Sequence, residues 1–246
     1  MSKYLKSKNI HLPNRWFQTI GLFIFFFIYQ QLITIGFNFG YILSPALGLL
    51  IGLIMIGFGL YMLWQYQISQ QAIPKIKQLP GSWISWILIL DVVIYSLNIA
   101  WAVFGKTILK LNMHGNSSQN QQSIMSYFNH GVTPAIFMIL LAIVVAPAIE
   151  EFCFRILIIK PTKDKSQVIN ILRVVFSVLL FGLAHTIQQL GKIDPKIELF
   201  YYGQYCIIGL ILALNYYHFR NYRLNYFLHM SWNIVSLLVA LVAMQA

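Results

Sequence analysis

Long apolar stretches separated by short polar breaks run the length of the chain. Crossing a bilayer takes about 20 mostly apolar helical residues. Stretches of that kind fall at Phe17–Asn38, Ile42–Trp64, Ile84–Phe104, Pro134–Ile159, Val174–Leu190, Ile197–Tyr217 and Leu224–Ala243. The fifth is the weakest. The pattern predicts an all-α protein, a polytopic transmembrane helical bundle of about seven spans, and leaves room for an eighth, re-entrant or interfacial segment. Lys3, Lys6, Lys8 and Arg15 precede the first stretch much as basic residues open a signal peptide. Its apolar part is too long for one, however, and no clear small-residue cleavage site follows, so a retained first helix is expected.

The one long polar connection, Gly105–Thr133, carries Asn112, Asn116, Asn120 and a Gln/Ser run, and reads as an extracellular connector or a short surface helix. Asn116-Ser117-Ser118 fits a glycosylation sequon, a common match with little weight. There is no internal repeat, low-complexity tail or separate soluble domain. Residues 1–133 hold the N-terminal helices and this loop, residues 134–246 hold the chemistry described below, and the two are expected to form one continuous membrane domain.

Composition agrees with a membrane solvent. Hydrophobic residues make up 59% and charged residues 9%, whereas soluble domains carry about 25% charged residues. The formal charge of +11 would suit nucleic acid only on a soluble scaffold with a basic stripe, so no nucleic-acid partner is expected. The charge has a topological explanation, because Lys and Arg crowd the cytoplasmic loops of membrane proteins. With the N-terminus inside, the inner loops take Lys3, Lys6, Lys8, Arg15, Lys75, Lys77, Lys160, Lys163, Lys165, Arg173, Arg220 and Arg223, and the outer loops only Lys106, Lys110, Lys192 and Lys196. The bias predicts N-in and C-out. Cys153 and Cys206 both lie in apolar segments and give no disulfide framework.

Ionisable groups inside spans are costly and usually face the bundle interior with a job to do. Glu151 and Arg155 are spaced i,i+4 and share a helix face, where they can pair. Glu150 is turned by about 100° from Glu151 and has no cation within its own turn. One carboxylate is thereby assigned to structure, and the other is a desolvated group suited to act as a general base. Pro147, one turn earlier, removes a backbone donor and loosens the helix there. On the fifth stretch Phe181 and His185 share a face, with Gly182 and Ala184 allowing close helix approach. On the last, His229 and Asn233 are i,i+4 and offer two neutral donors for an oxyanion; the plainer reading is an interhelical hydrogen-bond pair. Asp91, with Asn98 two turns on, is expected to pair with Arg155 or a histidine, or to line a polar cavity. Counting rise from the inner ends puts Glu150 about 10 Å deep, His185 about 16 Å, His229 about 8 Å and Asn233 about 14 Å. All four are therefore expected in a cytosol-facing half of the bundle.

The three stretches read Glu150-Glu151-Phe-Cys-Phe-Arg155, Phe181-Gly-Leu-Ala-His185 and His229-Met-Ser-Trp-Asn233. Their order and spacing resemble the CAAX protease and bacteriocin-processing family of intramembrane endopeptidases, also called the Abi family, over about Pro134 to Ala246. The resemblance implies that Glu150 and His185 activate a water, that His229 and Asn233 stabilise the oxyanion, and that Glu151 and Arg155 hold the helix. A glutamic-type endopeptidase without cofactor is expected. Zinc held by Glu150, His185 and His229 is the alternative, although the His-Glu-x-x-His helix of zinc proteases is absent. Family members cleave prenylated C-terminal peptides in eukaryotes, and many bacterial ones accompany bacteriocins. Richness in Ile, Asn, Lys and Tyr points to a bacterial cytoplasmic-membrane protein, with a bacteriocin or its precursor among the candidate peptide or protein substrates. Two other readings compete: a non-catalytic immunity protein keeping the protease fold, and a proton-coupled transporter, which lacks the expected broken-helix repeats.

Overall fold

The computed structural model describes residues 16–69, 82–111, 117–160 and 166–245. Lys3, Lys6, Lys8, Arg15, Lys75, Lys77, Asn112, Asn116, Lys163 and Lys165 lie outside the described residues. Within them seven helices are long and apolar enough to cross a membrane. These are α1 (Trp16–Leu43), α2 (Pro45–Ser69), α3 (Trp83–Thr107), α5 (Val132–Ile159), α6 (Gln167–Thr186), α7 (Pro195–Phe219) and α8 (Tyr222–Gln245). The short α4 (Gln119–Phe128) forms within the polar loop, its first turn capped by the Ser118 hydroxyl accepting from the Gln121 N–H. The protein is a polytopic helical bundle.

Several helix ends differ from the hydropathy pattern, α2 running on to Ser69 beyond the expected Trp64. α1 does not stop at Asn38 but continues to Leu43, and Ser44 alone joins it to α2. Pro45, with its fixed φ, opens α2, and the Ser44 hydroxyl accepts from the Leu47 N–H. Glycines let the two helices run close together: a Cβ on Gly40 would lie 2.9 Å from the Gly48 Cα. α6 starts at Gln167 rather than Val174, capped by Ser166. Gln167, Asn170 and Arg173 in its first two turns hide this start from a hydropathy window. It ends at Thr186, and a single 3₁₀ turn, Ile187–Gln189, follows.

α5 is the central helix. Half of its apolar stretch (50%) is buried inside the bundle, against 22–33% for the other spans. Large apolar side chains elsewhere face outward, Ile42, Phe39 and Val92 among them, as a lipid-exposed surface requires. α5 is not a regular α-helix. Leu140–Val145 and Phe152–Ile159 are wound in π register around an α-helical Ala146–Glu151. The Ala146 N–H reaches the Leu141 carbonyl, five residues back. The next donor in that register would be Pro147, which has none, so the Ala142 carbonyl is left over. The Asn233 side-chain amide of α8 donates to it at 2.8 Å. Tyr226 and Tyr222, also on α8, donate to the carbonyls of Val144 (3.2 Å) and Ala148 (2.8 Å). A loosened α5 is thus stitched to α8, and the stitch presents Glu150 and Glu151 to the bundle interior.

Candidate active site

Glu151 and Arg155 form the expected i,i+4 pair, with Nε to Oε2 at 3.2 Å and both side chains fully buried. Arg155 also donates from Nη1 to the Ser177 hydroxyl of α6 at 2.6 Å, and Ser177 donates on to the Phe154 carbonyl. Glu151 does more than hold Arg155. Its Oε1 accepts from His229 Nδ1 at 2.9 Å, and its Oε2 accepts from the Asn225 amide. The ion pair therefore positions α8 and fixes the ring of His229.

Glu150 points elsewhere, as its rotation on the helix requires. Its Oε1 accepts from Gln30 Nε2 of α1 at 3.4 Å. Its Oε2 lies 3.5 Å from His185 Nε2 and 3.7 Å from His229 Nε2, and has no hydrogen-bond partner of its own. His185 Nδ1 faces the Phe181 carbonyl at 2.8 Å. A carbonyl can only accept, so Nδ1 carries the proton and, in the neutral ring, Nε2 is a bare acceptor. A carboxylate oxygen and an imidazole lone pair 3.5 Å apart cannot bond to each other, but a single water can donate to both.

His229 is held the same way round, with Nδ1–H given to Glu151. Its Nε2 can therefore donate only when the ring carries both protons. Asn233 gives one amide hydrogen to Ala142 and keeps the other, and its side chain lines the same cavity as Glu150, His185 and His229. The sequence thus named four residues that the fold does bring to one cavity. Gly182 permits this: a Cβ there would lie 2.6 Å from Cys206 Sγ of α7, so α6 can press against α7.

Asp91 departs from expectation. It pairs with neither Arg155 nor a histidine; its Oδ2 accepts from the Ser231 hydroxyl of α8 at 2.5 Å. Arg155 is already engaged by Glu151 and Ser177, and α3 packs on α8, so the nearest partner is a serine. Asn98 turns back on its own helix and donates to the Ile94 carbonyl.

The cavity, about 730 Å³, reaches from Glu150 to α4 and is lined there by Asn120, Gln121 and Ser126. His185 stands one residue from the end of α6, about 27 Å along it, because that helix begins at Gln167. The site therefore opens on the face that carries α4 and the 187–194 connector. On the N-in orientation favoured by the basic loops this is the outer face, so His185 lies deeper than expected, whereas Glu150 and His229 stay within about 14 Å and 11 Å of the inner ends of their helices.

Sequence reasoning missed three contributors. Gln30 sits in a first helix that looked generic; its signal was a Gln-Gln pair in the middle of an apolar span. Tyr205 stacks on His185, ring centroids 4.6 Å apart, and its hydroxyl bonds Ser118 (2.8 Å) and Asn120 (3.3 Å). Asn225 had a signal too, an amide one turn before His229.

A bundle of seven apolar spans around a buried Glu/His/His cluster defines an integral membrane protein with a polar, water-accessible interior. Residues 132–235 match the family model for type II CAAX prenyl endopeptidase Rce1-like proteins. The matched segment takes in all three motifs, so the core of the chain has the fold of a CAAX-type intramembrane protease. Comparison with curated proteins and with solved structures gave no match. Gln30 lies outside the matched segment, and α1 completes the cavity from beyond it.

Proposed function

We infer that the protein is an intramembrane endopeptidase of glutamic type that cleaves a peptide or protein substrate in the α4-side cavity. The observation that carries this reading is the unpartnered Glu150 Oε2 opposite the His185 Nε2 acceptor. A water donating to both has its lone pair directed into the cavity. Glu150 takes its proton as the oxygen attacks the scissile carbonyl, forming a tetrahedral intermediate. The second amide hydrogen of Asn233 stabilises the oxyanion, joined by His229 Nε2 when that ring is doubly protonated. Glu150 then hands the proton to the leaving amine. Glu151 and Arg155 take no part in bond-breaking; they hold His229 and the α5–α6 contact.

Water, not zinc, is the occupant we assign. Glu150, His185 and His229 are the three donors zinc would use, with both imidazole Nε2 atoms turned to Glu150 Oε2 at 3.5 and 3.7 Å, and the chelator arm of the test separates the two occupants. The composition supports a bacterial cytoplasmic-membrane protein, and the family resemblance points to a bacteriocin or its precursor as the peptide substrate. The test is turnover by purified protein in proteoliposomes. Glu150→Gln abolishes it with folding intact, while a strong chelator leaves the wild type active. Loss of turnover to chelator, restored by zinc, would overturn the glutamic assignment; normal turnover by Glu150→Gln would overturn the mechanism. Protection from a bacteriocin that survives Glu150→Gln would favour the non-catalytic immunity reading.

A further inference from the structure

A protease that cuts close to a free C-terminal carboxylate needs a group that welcomes a negative charge. This cavity is built differently. Amide side chains enter it from several sides: Gln30 and Gln31 from α1, Gln121 from α4, Gln188 from the 3₁₀ turn and Gln204 from α7. Among the described residues lining it, Glu150 is the only acid and there is no Lys or Arg. Arg155 is close in sequence but fully buried against Glu151 and Ser177. A terminal carboxylate placed here would meet a like charge and no permanent cation, only the histidines His185 and His229 that already serve Glu150.

We propose that the cavity is a cradle for peptide backbone, and that the substrate is an uncharged internal segment of a polypeptide, cut away from its ends. The proposal rests on the protease reading above. A scissile bond must be extended to be attacked, so a substrate entering from the bilayer gives up helical hydrogen bonds around the cut. Each backbone group left unpaired away from water is costly. A carboxamide carries two donors and an acceptor in one side chain and can pair with the carbonyl and N–H of an extended chain, whatever its side chains.

Gln30 ties this binding to the chemistry. Its Nε2 donates to Glu150 Oε1, while its own Oε1 is buried with no partner. That acceptor waits beside the carboxylate for an N–H, which the substrate backbone supplies. When it is filled, the Gln30 side chain is fixed and Glu150 keeps Oε2 free for water. A small recess of about 60 Å³ between α1 and α6, walled by Phe27, Gln31, Ala184 and Gln188, reaches the same carboxylate from the side.

The test uses full-length protein in nanodiscs and synthetic 14-residue peptides of Ala, Ser, Thr, Asn, Gln and Leu. Each peptide is made with a free C-terminal carboxylate and as the amide, with Lys or Asp then placed at successive positions. Cut sites are read by mass spectrometry, and binding is read as fluorescence anisotropy on Glu150→Gln. Expected are internal cuts with several residues on both sides, rates unchanged by amidation, and a sharp loss when Lys or Asp stands beside the cut bond. Gln30→Leu lowers kcat/KM about tenfold or more for every peptide cut, the size of one or two lost hydrogen bonds. It leaves side-chain preference and the unfolding midpoint unchanged, and Gln31→Leu gives a smaller loss in the same direction. Cuts confined to the third residue from a free carboxylate, binding lost on amidation, or a Gln30→Leu enzyme with wild-type kinetics would each overturn the proposal. Peptides bound by Glu150→Gln but left whole by the wild type would sink the protease reading and leave the cradle standing. Peptides neither bound nor cut would overturn the cradle.

Discussion

Replacing Arg155 by Leu tests the buried pair that orients the site. The guanidinium is fully buried, 3.2 Å from Glu151, bonded to Ser177 at 2.6 Å and 5.3 Å from the Phe181 ring centroid. Removing it leaves the Glu151 carboxylate inside the bundle with only His229 and Asn225 as partners. Breaking a buried pair in this way costs about 3–5 kcal/mol, or roughly two to four orders of magnitude in the folding equilibrium. The double variant Glu151→Leu, Arg155→Leu removes both charges at once, and apolar replacement of a buried pair is often neutral or better. It is expected to recover most of the lost stability and none of the activity, because His229 Nδ1 has then lost its acceptor. Reversible unfolding by steric trapping in bicelles measures the first quantity, and peptide turnover the second. A cost below about 1 kcal/mol for Arg155→Leu would place the pair in water, where such pairs are weak. A double variant no more stable than the single one would show that Glu151 is held chiefly by His229 and Asn225. Either result refutes the argument.

Tyr205→Leu removes both the ring against His185 and the tie to Ser118 and Asn120, and is expected to cut turnover severely. Tyr205→Phe keeps the stack and loses only the tie, so its activity should lie between; equal effects would deny the stack a role. Gly182→Val forces side-chain atoms into Cys206 and Tyr202. Overpacking of this kind costs about 1–3 kcal/mol, measurable by the same unfolding assay, and a neutral result would mean that α6 and α7 stand further apart. A single cysteine at Ser126, with Cys153 and Cys206 replaced by serine, should react in intact cells with a membrane-impermeant maleimide. Labelling only after cells are opened would reverse the orientation inferred here.

The spans were legible in the sequence because a bilayer demands long, unbroken apolar runs, and the differences lie at helix ends, chiefly those of α1, α2 and α6. Serine caps and polar first turns carry no hydropathy signal, which is why Gln167 was missed as a start. Three of the four candidate site residues were legible because ionisable groups are rare in such helices, and Asn233 because it shares a face with His229. Their roles were less so. The sequence made Glu151 a partner of Arg155 alone, whereas it also orients His229. Asn233 read as an oxyanion donor, whereas half of its amide is already committed to the carbonyl that Pro147 strands. The depth of His185 was misplaced for a similar reason, since an error of seven residues in one helix start moves it by about 10 Å. Gln30 was hidden because nothing local says which residue of α1 will face a carboxylate 120 positions away.

The central claim is that Glu150 makes this membrane protein a protease. Its most direct test compares peptide termini in membranes of cells expressing the wild-type protein and Glu150→Gln at matched levels. The account predicts new termini with the wild type only, at internal sites in polypeptides exposed on the α4 side of the membrane. Identical profiles in the native host, with any neighbouring bacteriocin present, would contradict it.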